Sequence, residues 1–96
     1  MPRRELALIE ETRVTDTVAD AHARFPRFHD LYDGITWRLC RDPAPAEAVE
    51  VAPETFLVKS VSWSHPGFCV ITVAYTVDDK AETITVVDMW VDEPEK

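Results

Sequence analysis

The strongest constraint on this chain is a change in the spacing of its apolar residues. Phe28, Leu31, Tyr32, Ile35 and Leu39 stand at i, i+3, i+4, i+7 and i+11, which stacks them on one face of a helix. Downstream of Phe56 the period becomes two, the signature of strands. A chain that carries both patterns must lay a helical stripe against a sheet.

The helical region begins earlier. Val14, Val18, Ala21 and Phe25 follow spacings of four, three and four, so a first helix is expected from about Val14. Thr12 or Thr15 is its expected N-cap, which places Asp16 in the first turn, where the helix dipole favours an anion. Pro26 ends it, because a residue preceding proline avoids the helical region. The second helix carries Gly34 in its interior and Arg38 and Arg41 in its last turn, and Asp42-Pro43 stops it. So short a junction implies an antiparallel helical hairpin. Before it, Glu5–Glu10 reads as a short strand with Leu6 and Leu8 on one side.

After the hairpin, Ala44–Thr55 holds Pro45, Pro53 and three glutamates, and reads as a linker. Phe56–Trp63 is the next strand, and Ser64-His65-Pro66-Gly67 a turn. Phe68–Val77 is a long strand with Cys69, Ile71, Val73, Tyr75 and Val77 on one face. Asp78–Ala81 is a hairpin loop. Thr83–Val91 is the last strand, with Ile84, Val86 and Trp90 on one face and Val87 and Met89 on the other. Both of its faces are partly apolar, so it is expected to be central or covered. Asp92–Lys96 is a tail. The order strand-helix-helix-strand-strand-strand (β-α-α-β-β-β) predicts a two-layer α+β fold, a helical hairpin on an antiparallel C-terminal sheet.

Composition bounds the function. The 96 residues, 46% hydrophobic, suit one domain spanning 1–96. No stretch approaches the ~20 apolar residues of a membrane span. Arg3 and Arg4 have no apolar run behind them, so no secretory signal is expected and a cytoplasmic protein is. Eighteen acids against ten Lys and Arg give a net charge of -8, which opposes a broad phosphate footprint, so nucleic-acid binding should be weak. Cys40 and Cys69 allow one bridge, but two buried thiols in a reducing cytosol are the plainer reading. Neither lies in a C-x-x-C pair. His22, His29 and His65 complete no metal set, and two glycines are too few for a phosphate-cradling loop, so neither metal nor cofactor is expected.

Ile35-Thr36-Trp37-Arg38-Leu39-Cys40-Arg41-Asp42-Pro43, closing a helical hairpin, resembles the end of the second helix in the RelE/ParE superfamily of toxin–antitoxin toxins. Val70–Asp79 followed by Thr83–Trp90 resembles that family's closing hairpin: an apolar strand ending in Tyr, then Val-Asp-Asp, then an apolar strand. The resemblance implies a toxin-type protein, neutralised by an antitoxin that wraps its surface and acting on translation or a topoisomerase-like target. If catalytic, it would be a ribosome-dependent mRNA endonuclease. Such nucleases carry several cations on their middle strands and near the C-terminus. Here Phe68–Val77 contains no Lys, Arg or His, and only Lys96 follows Trp90. A non-catalytic, protein-binding member of the same fold, or an unrelated small α+β ligand-binding domain, are the alternatives.

Four residues are candidates for chemistry. Lys59 is the one cation inside the three C-terminal strands, either a phosphate contact or a lysine snorkelling past apolar neighbours. Tyr75 is either an antitoxin contact or general acid/base, or a core aromatic. Arg38 and Arg41 are neighbours on the helix surface and suit a carboxylate or phosphate. With Arg24 and Arg27 they form the main concentration of positive charge. Val87 and Met89, alternating opposite to Ile84 and Val86, are expected to leave an open apolar strip for a partner or a homodimer.

Overall fold

The computed structural model describes residues 5–25, 27–45, 48–59 and 69–93. The chain runs β1 (Ala7–Glu10), α1 (Thr12–Arg24), α2 (Phe28–Arg41), β2 (Val49–Ala52), β3 (Thr55–Lys59), β4 (Val70–Asp78) and β5 (Thr83–Asp92). Five strands form one sheet in the order β1-β5-β4-β3-β2, and both helices pack against it. This is the expected α+β two-layer fold. The turn Ser64–Gly67, the end of the strand expected over Phe56–Trp63 and the histidine His65 lie outside the described residues.

The core forms where the two periodicities meet. Phe28, Leu31, Tyr32, Ile35 and Leu39 of α2 are buried with Val14 and Ala21 of α1 against Val58, Ile71, Val73, Tyr75, Ile84 and Val86 of the sheet. Each helix ends on a residue that has left the helical backbone, Phe25 or Asp42, whose N–H closes the last turn. The α1 cap differs from expectation. The helix starts at Thr12 after Glu11, no side chain caps it, and its first turn holds no acid, so Asp16 lies beyond the reach of the dipole's positive end. Thr15 instead donates to Glu10 Oε1 at 3.2 Å, joining α1 to the end of β1.

Two strands depart from the sequence-based reading. β1 runs parallel to β5, pairing Leu8 with Ile84 and Glu10 with Val86, so the sheet is mixed rather than a pure antiparallel meander. The expected linker contains β2, an edge strand antiparallel to β3. Proline can flank an edge strand because the outer row of N–H groups is not needed for pairing. Glu54, in the β2–β3 turn after Pro53, takes a left-handed φ of 58°.

A bulge in β5 corrects the assignment of its faces. Ala74 pairs with Asp88 but Tyr75 pairs with Val86, leaving Val87 opposite no partner. An extra residue inverts the alternation beyond it. Met89 therefore joins Ile84 and Val86 in the core, 4% exposed, while Trp90 points to the far face, 48% exposed. The expected open strip of Val87 and Met89 does not exist. Arg13 of α1 donates through Nε to the carbonyl of Val87 at 2.8 Å, so the helix docks on the bulge.

Candidate functional site

Tyr75 is fully buried in the layer between sheet and helices. Its ring stacks on Phe56, with centroids 5.5 Å apart, and its hydroxyl donates to the Pro43 carbonyl at 2.7 Å. Burial, with a smaller contribution from the charge of Asp42, raises its pKa well above the ordinary phenol value. It is a neutral phenol committed to holding the segment after α2 over the sheet.

Lys59 lies on the opposite face. It is exposed and pairs with Thr72, which pairs with Trp90, so Lys59, Thr72 and Trp90 form a row across three strands. Arg38 and Arg41 close α2, whose end is tied to β1 by the Leu6 N–H donating to the Cys40 carbonyl at 2.9 Å. The Arg41 guanidinium sits 4.0 Å from the centroid of the Trp37 ring. Its Nη1 donates to the Trp37 carbonyl at 3.0 Å, and Nη2 lies 3.1 Å from Glu5 Oε1. Trp37 is 61% exposed.

The four candidates do not converge. Three strand spacings, roughly 14 Å, separate β1 beside Arg41 from β3, and Lys59 projects from the face away from the helices. The expected basic cluster is also internally neutralised. Arg24 meets Asp20 at 3.5 Å, Arg27 meets Asp30 at 3.1 Å and Arg41 meets Glu5. Asp20 and Asp30 lie one turn from their arginines, Glu5 comes from the segment before β1, and these pairs weaken the local field that a phosphate would need.

Other titratable groups serve the fold. The Tyr32 hydroxyl donates to Glu10 Oε2, and burial first, then this bond, raises the tyrosine's pKa far above its usual value. Cys40 and Cys69 are free and buried, and burial raises both thiols. His22 and His29 touch edge to face, centroids 4.4 Å apart. Among the described residues no three His, Cys, Asp or Glu side chains gather as a metal site, and no helix is long and apolar enough to cross a membrane.

One concavity stands at the end of the sheet where the β2–β3 turn meets the end of β4. It holds about 180 Å³ and is lined by Pro43, Ala44, Glu50, Glu54, Phe56, Val77 and Asp79. Its floor is apolar and its rim carries three carboxylates. The Tyr75–Pro43 bond builds one wall, and the Val77 N–H donating to the Glu54 carbonyl at 3.1 Å fixes the other. Glu50 Oε2 accepts the Glu54 N–H at 3.2 Å. The cleft leaves little mark on the sequence, because its acids lie in a segment with the composition of a linker and in a hairpin loop. The alternation of Val49 and Val51 with Glu50 and Ala52 was the available signal.

No family model, no curated protein and no solved structure matches this chain.

Proposed function

We propose that this chain is a non-catalytic, protein-binding member of a RelE/ParE-like toxin fold, engaged by an antitoxin-type partner. The observation that carries this reading is the dispersal of the candidate catalytic residues. Stabilising charge in a phosphoryl transition state requires donors aimed at one point. Here Tyr75 is enclosed, Lys59 is on the far face, and Arg41 is held by Glu5 and Trp37. Among the described residues the exposed large apolar side chains are Leu8, Ile9, Trp37, Val49, Val51 and Trp90, four of them on the edge strands β1 and β2. Edge strands and isolated exposed aromatics suit extended protein segments.

A second reading, an active toxin, draws on one observation. Trp37 with Arg41 over its ring and Arg38 beside it is a surface able to stack a base near two cations. Induced expression in a bacterial host separates the two. The protein-binding reading expects unimpaired growth and no ribosome-dependent mRNA cleavage. Growth arrest that an Arg38→Ala/Arg41→Ala double variant relieves would refute it.

A further inference from the structure

We propose that the cleft between Pro43, Phe56 and Val77 receives an arginine side chain from a basic segment of the partner protein. The proposal rests on the partner-binding reading and names what the partner brings.

Shape comes first. The apolar cleft holds about 180 Å³, room for one long side chain, and it opens beside a depression of about 540 Å³ that shares Glu54, Val77 and Asp79 with it. The lining then selects its chemistry. Pro43, Ala44, Phe56 and Val77 offer apolar contact for a methylene stem, and a rim of Glu50, Glu54 and Asp79 asks for a cation. Among the described residues, the carboxylates of Glu54 and Asp79 have no cationic partner, whereas Arg24, Arg27 and Arg41 all meet acids nearby. The neighbouring Asp78 is already occupied, since its Oδ1 accepts the Lys80 and Ala81 N–H groups at 3.1 and 3.0 Å. Lys80 borders the adjoining depression. The whole chain, at -8, draws a basic segment towards it. Arginine fits better than lysine because a planar guanidinium can bridge two carboxylates while lying on an aromatic ring, here Phe56.

The test is an NMR titration of the full chain with Nα-acetyl-arginine amide, with Nα-acetyl-norleucine amide as the uncharged control. Saturable shifts should centre on the amides of Glu54, Phe56, Val77 and Asp79. Affinity for arginine amide should exceed that for norleucine amide at least fivefold and weaken as salt is raised. A Glu54→Gln/Asp79→Asn double variant, which changes charge but hardly shape at two exposed positions, should lose at least fivefold in affinity. Equal shifts from the two amides, or undiminished binding in the folded double variant, would overturn the proposal. Because the wild-type comparison of the two probes needs no variant, a folding failure of the double variant leaves the test intact. Growth arrest together with arginine binding would sink the non-catalytic reading and keep the cleft. Silent growth without arginine binding would sink the cleft alone.

Discussion

Tyr75→Phe isolates one hydroxyl. The ring is fully buried and stacks on Phe56, and phenylalanine preserves both properties. What disappears is the 2.7 Å bond to the Pro43 carbonyl. A typical internal hydrogen bond contributes about 1 kcal/mol net, and stranding a buried acceptor raises the cost towards ~3 kcal/mol. Pro43 also lines the cleft, so water entering there can reach its carbonyl, and the expected loss is about 1–1.5 kcal/mol. Urea unfolding at pH 7 measures it. A second readout comes from alkali. The chain has two tyrosines, Tyr32 and Tyr75, and both have folded pKa values raised above the unfolded value of ~10. The unfolded chain therefore releases phenolic protons that the native chain retains. The stabilisation from keeping each phenol neutral is fully present below about pH 10 and is lost as pH climbs above it, by up to about 1.4 kcal/mol per pH unit for each tyrosine. Cys40 and Cys69 act in the same sense from a lower pH, in wild type and variant alike, and cancel in the comparison. Tyr75→Phe should thus halve the tyrosine part of the alkaline slope. A stability loss below about 0.3 kcal/mol, or an unchanged slope between pH 10 and 11.5, would refute the assigned role.

Met89→Ala should cost about 2–5 kcal/mol in chemical denaturation, as a truncated core side chain does, while Trp90→Ala one position on should cost under about 1 kcal/mol. The reverse order would place the bulge elsewhere. Glu54→Gly should raise stability by roughly 0.5–1 kcal/mol, because a left-handed φ costs a residue with a Cβ more than glycine's added chain entropy. A lower midpoint in thermal unfolding would show that Glu54 carries a contact that outweighs its strained backbone.

The helices and the layer they cover were legible because their information is local and repeated. Five α2 positions agree on one face, and Pro26 and Pro43 bound the stripe. β4 was legible for the same reason, since Ile71, Val73 and Tyr75 recur at every second residue. β2 was obscured because four exposed residues between prolines carry little burial signal. Its identity comes from β3, which supplies the pairing partners. The parallel partnership of β1 with β5 is a contact between opposite ends of the chain, and no local pattern encodes it. Of the candidate site, the two arginines were found together because they share a helix. Their separation from Lys59 is a property of sheet order.

The β5 bulge shows how one residue redirects a functional argument. In strict alternation Val87 and Met89 share a face, and with Val86 turned to the core they form an open apolar strip. Val87 takes no partner in β4, and every later side chain changes sides. Met89 then fills the core and Trp90 emerges. The sequence holds a trace of this in Asp88, whose Oδ1 accepts the N–H of Met89 at 2.9 Å, a local side-chain bond that competes with regular pairing. The far face that results is mixed. Lys59, Thr72, Thr85 and Asp88 share it with Ile9, Leu57, Ala74 and Trp90. The inferred arginine cleft lies instead at the end of the sheet, where, among the described residues, Glu54 and Asp79 form no ion pair, although Lys80 borders the adjoining depression.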